Sequence, residues 1–437
     1  MSTPSLLNIP YVIKAGTLYS QIPETGAGDF AVTRATTPTA NRSTRINANG
    51  FIELVADNVP RLDYPLGGAV NGCAALLVEP SAANNCFQSQ GLSTSPWIAG
   101  SVTVTGTTQT NSPDGTQNAF DITIANTGFS TLRQFIACAN NTTYTVSCFY
   151  KNKALVAGQA FEMRYTNENL APNNLNAIAT IDLAAGTATY QLAGTSGTGF
   201  SGTATGRVEN YGNGWYRVSM TFTVGSAGAN ANGIFRPIAG VSISRNFYAW
   251  GAQMEVGSVA TSYIPTTTQA ITRGDEVIRK TNVASLIGQS EGTIYVEVDI
   301  RNLGASVSII NVQTASYTSG AVRIETNANQ IRIQIRDVSG VNCLDATIAS
   351  PTLSAGINKI ALGYSSVASG VVTALNGSII STTTVTNAYT NIGANRVYLG
   401  TRETGGFNDL FFNNRIRAAV IYPNRLSNSQ LQALTTP

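Results

Sequence analysis

No histidine occurs anywhere in the 437 residues. That absence removes the commonest general base, the Ser-His and Cys-His nucleophile pairs and every histidine-containing metal site. Charge is scarce as well: 26 basic and 23 acidic side chains, spread without blocks, leave a formal net charge of +3. Such a balance gives no electrostatic footprint for a polyanion, so no nucleic-acid partner is expected. Five cysteines, Cys73, Cys86, Cys138, Cys148 and Cys343, are odd in number and lack C-x-x-C spacing. Neither a disulfide framework nor a zinc site follows, and free, mostly buried thiols are expected. No apolar run is long enough for a membrane span, and the first ten residues have neither a basic nor an apolar signal region. Synthesis and folding in a cytoplasm, with no signal peptide, is therefore the expectation. Long helices are also missing, and Pro4, Pro10, Pro23, Pro38, Pro60 and Pro65 break up the first 80 residues.

What is present is turn chemistry and short apolar alternation. Glycine is abundant, at 41 residues, and the rest leans on Ser, Thr, Asn, Ala and Val, a composition of turn-rich β-structure with a neutral polar surface. The length calls for two to four domains, at ~100 to 200 residues each. Residues 1–80 read as an irregular leader with a hairpin signal at Asn49-Gly50. From 81 to 265, runs such as Tyr144 to Tyr150, Trp215 to Val224 and Phe247 to Ala252 recur between turn signals. A polar linker covers 266–290. From 291 to 437, strict alternation returns in Gly292 to Ile300 and Gln330 to Arg336, and Ser427 is placed to cap one short helix carrying Leu431 and Leu434. The fold class is thus all-β: a leader followed by two tandem antiparallel jelly-roll or β-sandwich domains.

Several words in the chain resemble those of a known family. Tyr248 to Pro265, Ser112-Pro113-Asp114-Gly115-Thr116, Asn213-Gly214-Trp215-Tyr216-Arg217 and Asn58 to Tyr64 are similar to segments of bacteriophage head and tail fibre proteins that carry a carbohydrate-binding-like sandwich. Asn414 to Thr435 resembles the closing strand and helix of concanavalin-like and laminin G-like sandwiches. The resemblance implies a virion structural protein, made in a host cytoplasm and built into a fibre or appendage. It implies other virion proteins as partners through residues 1–80, a homo-oligomer with a trimer favoured, and contact with host surface glycans. A glycan-binding adhesin or receptor-binding protein is the alternative.

Within that frame, Arg34, Arg61 and Asp63 stand out in a neutral leader. A contact to a virion neighbour is one reading, and an Arg–carboxylate pair pinning the leader to the sandwich is the favoured one. For glycans, the candidates are Trp97, in a loop-like stretch after Pro96, and Tyr317 in the second sandwich. Trp215 and Trp250 lie in strand patterns and are assigned to core packing. Asp299, Asp337, Asp345 and Asp409 are isolated, so no metal-dependent lectin site and no cofactor are expected. The carboxylate pairs open to a glycosidase reading are Glu162 with Glu168 and Asp275 with Glu276, and both are assigned to ordinary surface charge, so no enzyme activity and no catalytic residue are assigned. Arg273-Gly274-Asp275 spells an integrin-type tripeptide that carries little weight alone.

Overall fold

A computed structural model describes residues 3–37, 42–66, 72–124, 129–167, 175–193, 199–230, 232–240, 244–316 and 318–437. Almost all regular structure is antiparallel strand, with one α-helix at Asn428–Thr435 and one short 3-10 turn among the described residues. No helix among them is long and apolar enough to cross a membrane.

The first sandwich faces two six-stranded sheets against each other. One runs Ile98–Gly100, Thr131–Phe135, Ile234–Ala239, Phe161–Asn167, Leu175–Asp182, Thr187–Ala193; the other runs Val102–Gly106, Phe120–Ile124, Arg245–Val256, Thr143–Asn152, Trp215–Val224, Phe200–Gly212. Alternate strand residues face opposite sides. Cys148 and Tyr150 enter the core between the sheets, where Tyr150 donates to the Pro237 carbonyl at 2.5 Å. Phe149 faces outward and meets Tyr211, Trp250 and Tyr263 at ring-centre distances of 4.9, 5.3 and 5.8 Å. That aromatic layer would be exposed if the leader did not cover it. The hairpin of Ser43–Ile46 and Ile52–Val55 does so through Ile46 and Ile52. Asn213 and Gly214 both hold positive φ, 52° and 78°, in the tight turn that joins the last two strands of that sheet, as the Asn-Gly word requires.

The second sandwich departs from the sequence expectation. Residues 1–80 do not stand apart as an irregular leader. Leu6–Asn8 pairs with the closing strand Asn414–Tyr422, which also pairs with Ala75–Val78. In the facing sheet, Phe30–Thr33 pairs with Val277–Thr281. Leu6, Leu18, Phe30, Val32, Leu76 and Val78 are buried in the same core as Ile294, Ile333 and Leu399. The segment 266–290 is not a free linker either, because Ile271–Arg273 and Val277–Thr281 are strands within sheets. The second sandwich is thus assembled from both ends of the chain, and the first is inserted into it. The physical reason is edge and face coverage: the strands after residue 270 leave apolar faces and unpaired backbone groups that the early strands complete. The helix is capped as the sequence implies, with Ser427 accepting from Gln430 N and Gln430 reaching back to Ser427 N.

Candidate functional site

The leader, the exit of the first sandwich at 257–266, and the second sandwich converge on one seam. Its interior is a buried ion network. Glu276 Oε1 accepts from Arg34 Nη1 at 2.9 Å and from Arg61 Nε at 2.8 Å. Glu79 Oε2 accepts from Arg61 Nη2 at 2.7 Å and lies 3.1 Å from Arg273 Nη1. Ser262 donates to Glu79 through both its backbone N and its hydroxyl, each at 2.7 Å. All five ionised side chains are at most 4% exposed. Next to it, Asp63 Oδ2 accepts from Arg415 Nε at 2.6 Å, while Asp63 Oδ1 accepts from Ile46 N at 2.5 Å. Arg34, Arg61 and Asp63 therefore pin the leader within the fold through Arg–carboxylate pairs, to both sandwiches and across up to 352 residues of sequence.

This network removes two sequence candidates from chemistry. Glu276 is spent on two guanidinium groups, and Arg273 is fully buried, so the tripeptide Arg273-Gly274-Asp275 is not displayed. Glu162 is ion-paired with Arg164; Glu168 lies outside the described residues. Asp299, Asp345 and Asp409 pair with Arg415, Arg332 and Arg402, and Asp337 accepts from its own turn at Ser339. No group of three or more His, Cys, Asp or Glu side chains that could hold a metal occurs among the described residues.

Electrostatics inside the network give a pH dependence. Burial alone would raise the Glu79 pKa, but Arg273, Arg61 and the two Ser262 hydrogen bonds outweigh it and hold it at about 2. A depressed carboxylate contributes stability that is complete above its unfolded value and lost as pH falls through its folded one. The expected window is therefore from about pH 4.5 down to about 2, with a loss on the order of 3 kcal/mol from this group. Urea midpoints across that range should fall more steeply for the native chain than for Glu79→Gln; parallel curves would contradict this role.

Beside the network the seam opens into a groove of about 490 Å3. One wall is the loop 302–307, the other is 410–413, and Ser258 and Val259 of the first sandwich complete it. Asn414 sets the two walls: its Oδ1 accepts from Arg301 N at 2.7 Å and Asn302 N at 2.8 Å, while its Nδ2 donates to the Phe412 and Asn302 carbonyls. Asn302 Nδ2 in turn donates to the Asn413 carbonyl at 2.7 Å. Two non-glycine residues of the second wall, Leu410 and Asn413, hold φ near +49°, conformations that persist only where surrounding bonds enforce them. Leu303, Val307, Leu410 and Phe411 supply an apolar lining; Ser258, Asn302, Ser306 and Asn413 supply neutral polar groups; no lining residue is ionisable. The buried Oδ1 of Asn413 has no hydrogen-bond partner. A preformed concavity with an apolar body and a few neutral donors and acceptors suits an uncharged ligand with one apolar face and several hydroxyls.

The two residues singled out from sequence are not there. Trp97 is buried, donates from Nε1 to the Gln88 carbonyl at 3.0 Å and meets Phe235 edge-on at 6.4 Å. It is a packing residue and offers no free face, because it leads directly into the strand Ile98–Gly100, which pairs with Thr131–Phe135 in the sheet. Tyr317 lies outside the described residues. Trp215 and Trp250 are packed as expected, with Nε1 donating to the Asn111 carbonyl and Asn118 Oδ1. The groove was missed because its residues are Asn, Ser, Gly and isolated apolars in two loops far apart in sequence, and only the Leu410-Phe411-Phe412 run offered a signal.

No family model matches the chain, and no curated protein matches it. Among solved structures, a CBM40 module of the Ruminococcus gnavus IT-sialidase bound to alpha2,3 sialyllactose is similar over 35% of this chain and 86% of its own, with 21% identity and a TM-score of 0.32. A NanB sialidase from Streptococcus pneumoniae is similar over 35% of this chain and 25% of its own, with 14% identity and a TM-score of 0.31. A SAP-like pentraxin from Limulus polyphemus is similar over 34% of this chain and 70% of its own, with 12% identity and a TM-score of 0.27.

Proposed function

We propose that this protein is a non-catalytic carbohydrate-binding protein whose groove between the two sandwiches takes a neutral glycan. The observation that carries the reading is the groove's lining, with Phe411 and Leu303 for the apolar face of a sugar, Asn302, Ser306 and Asn413 for hydroxyls, and no ionisable group to favour a charged ligand. Hydrolysis is not part of the proposal, since Glu162, Glu276, Asp299, Asp345 and Asp409 are ion-paired and Asp337 is held in its own turn. On an array of neutral and charged glycans the full chain should retain neutral ones. Phe411→Ala should weaken that binding at least tenfold, about 1.4 kcal/mol. Retention of no neutral glycan, or equal retention by Phe411→Ala, would end the proposal.

A second reading, compatible with the first, is a virion appendage subunit facing host glycans. What supports it is that two of the fibre-like words meet in the seam: Arg61 and Asp63 from one, and Ser262 and Tyr263 from the other. Mass spectrometry of purified virions from the source would detect the polypeptide if this reading holds.

A further inference from the structure

A separate cavity of about 230 Å3 lies where the leader hairpin meets the first sandwich, and it shares no lining residue with the groove. Gly50 and Phe51 at the hairpin tip form one side, the loop 110–113 a second, and Lys151, Tyr211 and Trp215 the third. The walls are fixed. Ile52 N donates to the Pro113 carbonyl at 2.9 Å, Trp215 Nε1 to the Asn111 carbonyl at 2.8 Å, and a Cβ on Gly115 would stand only 3.3 Å from the Phe51 ring.

Lys151 is the one charged side chain in this lining. Its Nζ donates to Thr110 Oγ1 at 2.9 Å and makes no ion pair with a described residue. An ammonium has three donor protons, so two remain for a ligand. Lys153, two residues on, is the contrast: it is paired with Asp121 at 2.5 Å and lies over the Tyr248 ring. Burial lowers the Lys151 pKa and no nearby anion offsets it. A partly desolvated cation without a counter-charge is a standing cost that an incoming carboxylate would relieve through a charge-assisted hydrogen bond. The space is below the ~300 Å3 at which pockets for drug-sized ligands begin, which limits the occupant to about one ring.

We propose that this cavity is a second ligand site, taking a single carboxylate-bearing sugar ring with its carboxylate on Lys151 Nζ and its apolar face against Phe51. The choice of a sugar ring rests on the carbohydrate reading above, whereas the demand for an anion rests on Lys151 alone.

The test titrates the full chain with methyl glucuronide and methyl glucoside by calorimetry, using the native protein, Lys151→Met and Phe411→Ala. Glucuronide should bind the native chain and Phe411→Ala alike, and at least tenfold more weakly to Lys151→Met, whose melting temperature should stay near the native one. Glucoside should not compete for the site, and glucuronide affinity should fall as the pH rises through the lowered lysine pKa. Absence of glucuronide binding, or equal binding by Lys151→Met, overturns the proposal. Displacement of glucuronide by an equal concentration of acetate overturns the ring assignment. Failure of the groove reading would register separately, as neutral-glycan retention that Phe411→Ala leaves unchanged.

Discussion

Replacing Glu276 by alanine is expected to destabilise the protein by about 3–5 kcal/mol, the range for breaking a buried ion pair by removing one partner. The reason lies in what remains. Arg34 and Arg61 are at most 2% exposed, and both direct donors at this carboxylate. Arg34 would keep Ser43 Oγ and the carbonyls of Ala56 and Val59, and Arg61 would keep Glu79, the Thr44 carbonyl and Ser262. Those bonds hold the guanidinium groups in place and out of water, so neither can relax into solvent. Arg61 and Arg273 would then share Glu79, and Arg34 would be left with no carboxylate within ion-pair distance among the contacts it makes. Glu53→Ala is the matched control. It breaks a pair with Arg45 in the same leader, but both partners are about a quarter or more exposed, and such a pair contributes ~1 kcal/mol or less. Chemical denaturation of both variants gives the comparison, and equal midpoint shifts would show that the network carries no more weight than a surface pair.

A polypeptide consisting of residues 266–437 alone should fail to unfold cooperatively, although it contains the whole of the second sandwich as the sequence divides it. It lacks Phe30–Thr33 and Ala75–Val78, which flank Val277–Thr281 and Asn414–Tyr422 in the two sheets. It also lacks six fully or nearly fully buried apolar side chains of the shared core. At ~1.5–3 kcal/mol for each buried side chain, the loss is on the order of 10 kcal/mol, comparable with the ~5–15 kcal/mol that a typical domain has in total. Restoring the leader should rescue the unit. Ala82 pairs with Arg273 and Asn84 with Ile271, so a short loop in place of the first sandwich can join residues 1–84 to 271–437. Circular dichroism melting of the two polypeptides decides the matter: a sharp transition in 266–437 would mean that the early strands only decorate a fold complete without them.

The contrast between these fragments marks where the sequence was legible. Local signals transferred well. The turns at Asn49-Gly50 and Asn213-Gly214, the alternation of Gln330–Arg336 and the cap at Ser427 each depend on neighbours within a few residues, and each stands in the structure. The packing of Trp215 and Trp250 was legible for the same reason, since strand periodicity places them. Strand partnership was not, because Leu6–Asn8 is too short to display a period and its partner is more than 400 residues away. The groove had the same difficulty, being a product of two remote loops. Trp97 misled because a tryptophan after proline looks like loop, while its indole N–H finds a carbonyl only nine residues back. The charged residues of the leader were noticed, but which carboxylates they meet is a property of the assembled seam.

The insertion of one sandwich into the other also orders events in time. Asp63 leaves the ribosome 352 residues before Arg415, its partner. At ~5–20 residues per second that interval is roughly 20 to 70 s. The strands of the first sandwich all lie between Ile98 and Val256, so that unit has every strand it needs well before the chain is finished. The second has to wait for Asn414–Tyr422, which lies between Glu291–Ile300 and Ala75–Val78 in its sheet. During that wait the leader's apolar strands are already outside the ribosome with their sheet unfinished, and the completed first sandwich offers one surface, the aromatic layer around Phe149, on which its hairpin can rest until translation ends.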